Sequence, residues 1–376
     1  MNVAYVTPYY NGACDGRFGR FHDWVHAARD MAEPPFEFDV YAFTSSNDDD
    51  TLATNPDKYL GEATELWGTK WNKPEFLLNA PRVRSALEGG DYDLIHLLVM
   101  DTIVLPTVLS LRSDVPLVLG PDIAGWSPIR AGMFATESPT GMVKNRIKYL
   151  IKNTLGRTTP FDRAVVFSEH HEDILESFGI PKSEISVLHG GVSRRFRPDE
   201  SHERGEPPEV LYVGDFSAHK GYPMFLEALA ELDRPVTARL IGGGDPNESL
   251  IGEVGVTDQV VIEGFVPREE LPTYYRAADL YVNPSIDELG PNTLLEALAS
   301  GTPVVATDIL GINEFTPPEA SVLFGPRTVA ELTTGIERAL DNLDALTQGA
   351  RTVATGCHAT HTLDNLAEIY AEVLGR

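Results

Sequence analysis

Only two cysteines, Cys14 and Cys357, occur in 376 residues, far apart and outside any metal or redox spacing. That excludes a disulfide framework and fits a reducing compartment. Basic residues are scarce as well: 30 Lys and Arg stand against 56 Asp and Glu, a formal net charge of -26. Such an excess repels nucleic acid phosphate, so no nucleic acid partner is expected. It suits solubility at high salt, where screening weakens self-repulsion, and points to a halophilic host; an acidic cytosolic protein is the plainer alternative. The greasiest stretch, Leu94 to Leu111, holds His96, Asp101 and Pro106, which reads as a buried strand and helix rather than a membrane span. Met1 to Val6 has neither a basic n-region nor a small-residue cleavage site and reads as a first strand. A cytoplasmic protein without repeats or low-complexity tracts is expected.

With 42% hydrophobic residues the chain can fill two cores, and its length fits two α/β domains. Short apolar runs alternate with helical patterns throughout, the sign of parallel βαβ units. Strands are expected at Val3 to Val6, Phe38 to Phe43, Leu94 to Leu97, Leu117 to Leu119, Ala164 to Phe167 and Ile185 to Leu188. A second set follows at Val210 to Val213, Arg239 to Ile241, Val260 to Ile262, Leu280 to Val282, Val304 to Ala306 and Val322 to Phe324. Residues 193–208, rich in charge, Pro and Gly, form the natural linker between domains 1–192 and 209–360. Apolar spacing over Leu363 to Leu374 predicts a helix, so 361–376 closes the chain.

The most informative stretch is Glu288-Leu-Gly-Pro-Asn-Thr-Leu-Leu-Glu296 and on to Gly301. Pro291 suits the first turn of a helix, Gly301 and Pro303 its end, and Leu294, Leu295 and Leu298 give it a buried stripe. Glu288 then lies on a loop at the carboxyl end of the sheet, where open α/β sheets bind ligands. Backbone N–H groups around Gly290, Asn292 and Thr293 would face that crevice as a diphosphate site. Glu296 falls about 7 Å into the helix, so one carboxylate lies ahead of the phosphate site and the other beside it. Both can accept from sugar or ribose hydroxyls. The alternative is a solvated helix start with acids near its positive end. A second stretch, Val210 to Leu226, reads as strand, Gly214 turn, loop and helix, with Lys220 placed to neutralise a phosphate. A solvated surface lysine is the alternative.

These motifs resemble the retaining GT-B glycosyltransferases of the large group 1 (family 4) class. The resemblance runs closely from Val210 to about Glu314. It includes Gly214 to Gly221, Leu240 to Asp245, Gly264-Phe-Val-Pro267, Tyr275-Arg-Ala-Ala-Asp279, the Glu288 and Glu296 pair, Ala299 to Val305, and Gly311. It is looser in the first half, at Val6 to Pro8, Asp93 to His96, and His189 to Val192 with Phe196-Arg-Pro198.

The implied fold is α/β of GT-B type, two Rossmann-like doubly wound domains facing a central cleft, with acceptor on the N-terminal side and nucleotide sugar on the C-terminal side. The resemblance implies that Lys220 contacts the donor diphosphate, Glu296 the ribose and Glu288 the transferred sugar. The amides of Gly290, Asn292 and Thr293 would hold the phosphates, and backbone atoms at Val266 the base. Transfer with retention is implied, with no metal and no cofactor beyond the nucleotide diphosphate sugar.

Three departures stand out. Asp215 occupies a position where the family often has Arg, which shifts phosphate neutralisation to Lys220. The glycine-rich first loop is thin, leaving Gly12 as the candidate for approach to the phosphates. Gly120-Pro121-Asp122 follows a strand where many members place a His, which makes Asp122 the catalytic candidate there; an Asp capping a turn is the alternative.

Two features are set aside. Asp48-Asp49-Asp50 lies in a polar loop and reads as a solvated face, and His96 reads equally as a satisfied core histidine or a ligand. Ser138 to Phe161 contains Lys144, Arg146, Lys148, Lys152 and Arg157 and no acid. Within it, the spacing predicts a basic amphipathic helix over 142–157, suited to peripheral contact with an anionic membrane at the inner face of the cell membrane, or to ordinary crossover packing. The expected function is hexosyl transfer to a glycan or lipid-linked acceptor for surface glycoprotein or polysaccharide assembly. The alternatives are a nucleotide-sugar epimerase or phosphorylase of the same fold, and a non-catalytic sugar-binding module.

Overall fold

The computed structural model describes residues 1–7, 19–42, 85, 87–99, 114–122, 154, 161–201, 204–286, 288, 290–325 and 328–375. Gly12, Cys14, Asp48 to Asp50 and, apart from Thr154, the basic segment 142–157 lie outside them. The chain divides into two units, Met1–His189 with Thr362–Arg376, and Gly190–His361.

The first unit carries β1 (Asn2–Thr7), β2 (Glu37–Ala42), β3 (Leu94–Val99), β4 (Leu117–Asp122), β5 (Arg163–Val166) and β6 (Ile185–Val187). The second carries β7 (Glu209–Val213), β8 (Thr237–Ile241), β9 (Val260–Gly264), β10 (Leu280–Asn283), β11 (Val304–Thr307) and β12 (Ser321–Phe324). Each unit forms one six-stranded sheet, ordered β2-β1-β3-β4-β5-β6 and β12-β11-β10-β7-β8-β9, with the pairings parallel. Every apolar run singled out in the sequence became a strand, most of them longer by one to three residues. Most of the extra residues are polar or small ends, such as Asn2, Thr7 and Asn283, which continue the ladder without needing an apolar environment, while Leu98 and Val99 extend β3.

The described helices are α1 (Gly19–Asp30), α2 (Glu169–Ser177), α3 (Tyr222–Ala230), α4 (Glu248–Val254), α5 (Leu271–Ala277), α6 (Asn292–Ala299), α7 (Val329–Asp341), α8 (Leu343–Val353) and α9 (Ala359–Val373). None is long and apolar enough to cross a membrane. Ser168 caps α2 by accepting from His171 N at 3.2 Å, and Thr328 caps α7 by accepting from Glu331 N at 3.3 Å. Pro291 is not in the first turn of α6 as its sequence position suggested. It stands just before it in an extended conformation (φ -75°, ψ 114°), and the helix begins at Asn292.

Strand alternation sorts the second unit's apolar residues onto two sides. Val210, Tyr212, Leu280 and Val282 join Phe225, Leu229 and Ile336 in one cluster. Leu211 and Tyr281 join Tyr275, Leu294 and Leu298 in the other. Both faces of the sheet are thus covered, as a parallel sheet requires.

In the first unit Tyr370 of α9 packs edge-on to Phe36 and His96, closing the core with the last helix of the sequence. His96 is fully buried. Its Nε2 lies 2.8 Å from Gly120 O and its Nδ1 2.5 Å from the Tyr370 hydroxyl, which is 2.9 Å from the Tyr5 hydroxyl. A carbonyl can only accept, so Nε2 carries the proton and Nδ1 accepts from Tyr370. Tyr370 then accepts from Tyr5, which fixes the direction of the whole chain. Burial pushes the His96 pKa down to about 3, so the ring is neutral. His96 is therefore a satisfied core histidine.

Candidate active site

In the second sheet the chain runs outward through β7, β8 and β9, then returns to the other side of β7 for β10, β11 and β12. The switch point is between β7 and β10, and ligands of open α/β sheets bind outside the carboxyl ends of the strands at that point. Lys220 follows β7 and Glu288 follows β10, so both belong to this crevice.

Backbone packing brings them together. After β7 a short 3₁₀ turn, Ala218–Lys220, ends at Gly221 with φ 69°. A Cβ there would lie 2.0 Å from Pro284 O, so only glycine lets this loop press on the exit of β10. Ile286 N donates to His219 O at 3.0 Å, which ties the two loops. On the other side Phe216 N donates to Gly243 O at 2.9 Å. Close approach there requires Gly242, whose Cβ would meet Gly214 O at 1.8 Å.

The outcome is a short ion pair: Lys220 Nζ lies 2.6 Å from Glu288 Oε2. Glu288 is 7% exposed, and the lysine side chain is partly open to solvent. Lys220 is thus not a solvated surface residue.

Gly290, with φ 107°, leads through Pro291 into α6, whose start has no side-chain cap. Asn292 and Thr293 are half-buried there, and Thr293 Oγ1 accepts from the Tyr281 hydroxyl at 2.7 Å. Burial raises the Tyr281 pKa, which keeps that phenol a donor. A helix start of this kind presents backbone donors and a partial positive charge to an anion.

Glu296 is buried on the same helix, 1% exposed. Its Oε2 accepts from the Tyr275 hydroxyl at 3.0 Å, and Arg268 Nη1 stands 2.6 Å from its Oε1. Oε1 has no hydrogen bond of acceptable angle, so the arginine contact is an ion pair skewed off the donor direction. Tyr275 is fully buried, and that burial, reinforced by Glu296, holds its pKa well above the usual phenol range. The Arg268 guanidinium also stands 5.5 Å from the Phe196 ring centroid.

Val266 is buried in the loop after β9, next to the exposed Phe265. Lys220, Glu288, Gly290, Asn292, Thr293 and Val266 lie on loops or helix starts at the carboxyl ends of β7, β9 and β10, with Glu296 one turn further along α6. Asp122 ends β4, where its backbone pairs with Val99 of β3 in the first unit. Arg268 and Tyr275 were missed as site residues, although both fall within or beside the quoted motifs Gly264 to Pro267 and Tyr275 to Asp279. A cavity lined by Arg204, Arg276, Arg351, Asp279 and Ser300 sits apart from all of these, at the amino ends of β10 and β11.

Two doubly wound six-stranded units in one chain, the second with this switch-point crevice, define the GT-B fold. Residues 207–342 match the family model described as "Glycosyl transferases group 1". Over 183 residues the chain is 32% identical to 2-deoxystreptamine glucosyltransferase from Streptomyces kanamyceticus, covering 45% of this chain and 46% of that protein. The chain spans about half the length of the curated relatives it matches. Sucrose-phosphate synthase from Thermosynechococcus elongatus has the same fold, with a TM-score of 0.76 at 19% identity, covering 100% of this chain and 99% of that one. Anabaena HepE, solved in complex with UDP, gives 0.70 at 17% identity, covering 99% and 100%.

Proposed function

We propose that the protein is a retaining glycosyltransferase that moves a hexose-type sugar from a nucleotide diphosphate donor to an acceptor. The observation that carries the reading is the Lys220–Glu288 pair at 2.6 Å beside the uncapped start of α6. In one crevice it joins a cation for a diphosphate, backbone donors for its oxygens, and a carboxylate for sugar hydroxyls. Glu296, one turn further along α6, serves the ribose, and the Val266 loop serves the base. On the resemblance alone, Gly12 approaches the phosphates and Asp122 is the catalytic candidate near the sugar. The kinship with a glucosyltransferase and with a fold solved in complex with UDP supports the same reading.

Chemistry in such a site is mostly positioning and charge stabilisation. The leaving diphosphate gains negative charge as the glycosidic bond breaks, and Lys220 with the α6 amides stabilises it in place. Release of Lys220 from Glu288 towards the diphosphate leaves the carboxylate to accept from the sugar. No metal is needed for these steps, and nucleotide sugar is the only small molecule required.

We assign the acceptor to the glycan or lipid-linked class, with surface glycoprotein or polysaccharide assembly in a halophilic cell as the setting. The support is the basic, acid-free segment 142–157 in a chain of net charge -26, which suits an anionic inner membrane face. Liposome flotation tests this part: wild type should float with anionic vesicles at low salt, and a Lys144→Glu, Lys148→Glu, Lys152→Glu variant should not. Failure of both to float at any salt refutes membrane contact.

The catalytic reading is tested by incubating the purified chain with UDP-, GDP- and ADP-hexoses and following nucleoside diphosphate release. Release from one of them that is lost in Glu288→Gln supports it. A chain that binds such donors but releases nothing with any acceptor fraction from its own cells is a sugar-binding module instead.

A further inference from the structure

Among the described residues, Lys220 alone does not balance the negative charge of the crevice. Glu288 and Glu296 both belong to it, and Asp215 is exposed on the loop after β7. A donor diphosphate adds further negative charge, and the start of α6 contributes only about half a positive charge. Lys220 is a point charge already engaged with Glu288. Position 215, at the end of the turn out of β7, supplies an acid rather than a second cation.

Arg268 is in place to do so. It follows Val266 by two residues, with its side chain 18% exposed, its guanidinium near the Phe196 face and Nη1 2.6 Å from Glu296 Oε1. Glu296 stands four residues after Asn292, about 6 Å along the helix axis, a distance a guanidinium can cover. Five planar donors suit two phosphate oxygens better than an ammonium does.

We infer that Arg268 is the second cation for the donor diphosphate, holding Glu296 until ribose hydroxyls replace it at Oε1. This rests on the function proposed above. Both carboxylates of the pair would then be covered by a cation of the protein, and donor entry exchanges partners: phosphates take Lys220 and Arg268, and hydroxyls take Glu288 and Glu296.

The test begins with calorimetric titration of UDP, GDP and ADP into the wild type, followed by the nucleoside of the best binder, read by ligand-observed NMR. Arg268→Ala should weaken the diphosphate about ten- to a hundredfold, as expected for a lost charge-assisted contact, and leave the nucleoside within about threefold. Arg268→Lys should recover part of the loss. Because Arg268→Ala strands a buried carboxylate, the substitution is repeated in a Glu296→Gln background, where the same selective loss of diphosphate affinity is expected. Equal diphosphate affinity with and without Arg268 overturns the proposal. So does an equal loss for nucleoside and diphosphate, which would make Arg268 a positioning residue for Glu296. A wild type that binds none of the three diphosphates overturns the proposed function and this inference with it.

Discussion

Lys220 and Glu288 stand 68 residues apart in the chain and 2.6 Å apart in space. The close approach of Gly221 to Pro284, with the Ile286 N–His219 O bond, makes that meeting possible. Neither residue is free to act alone, so substitutions on either side affect both charge and shape.

Lys220→Ala should lower turnover about a hundredfold, the usual size of a lost transition-state donor. It also removes the cation paired with Glu288, which is 7% exposed, and should cost about 1–2 kcal/mol of stability after allowing for partial solvent access. Lys220→Met with Glu288→Gln should restore the stability but not the turnover. Urea denaturation beside steady-state kinetics checks both; full turnover in the single variant would show that another cation serves.

Glu296→Ala should weaken nucleoside diphosphate binding by about 1.5–3 kcal/mol, because ribose hydroxyls lose a charged acceptor. Calorimetric titration measures this directly. Unchanged affinity in a folded variant removes Glu296 from the site.

Gly221→Ala should cost about 2–4 kcal/mol, combining left-handed backbone strain with a Cβ that has no room beside Pro284 O. The damage should reach the donor site, because relief of the clash pushes the Lys220 loop away from β10. Thermal melts and diphosphate titration together check it; a lower melting temperature with normal affinity would uncouple the loop from binding.

Acid should weaken the protein through His96. Its pKa is held at about 3 by burial against an ordinary value of 6.5. Below 6.5 the unfolded chain takes up a proton that the folded one refuses, so stability present above that pH is lost progressively towards 3. The slope is about 1.4 kcal/mol per pH unit for one such proton. His96→Gln should flatten the loss between pH 6 and 5 by about that amount, read by urea denaturation at each pH. An unchanged slope would show that other groups carry the acid sensitivity.

The strands were legible because each is a short apolar run covered on both faces, as with Leu280, Tyr281 and Val282. Residue type alone marked them, and what was missed lies at their ends, most of it polar. The start of α6 was misjudged by one residue, since Pro291 has the right φ for either position and neighbouring geometry decides. The placement of Lys220 and Glu288 after β7 and β10, and of Glu296 on α6, was legible through the spacing of a motif. Arg268 and Tyr275 were not, because they meet Glu296 from sequence separations of 28 and 21 residues, set by how α5 packs on α6. His96 looked equally like a ligand until Tyr370, 274 residues away, was seen to satisfy it.

That long-range bond has a consequence for how the chain is made. Tyr370 completes the core of the unit that begins at Met1, yet it is synthesised after the whole second unit. On the ribosome the second unit's residues are all available before the first unit's last helix emerges, so the order of completion reverses the order of synthesis. Until residues 362–376 arrive, the His96 ring and the Tyr5 hydroxyl lack their shared partner. A nascent chain arrested before Thr362 should therefore show a protease-resistant second unit and a first unit still open to cleavage.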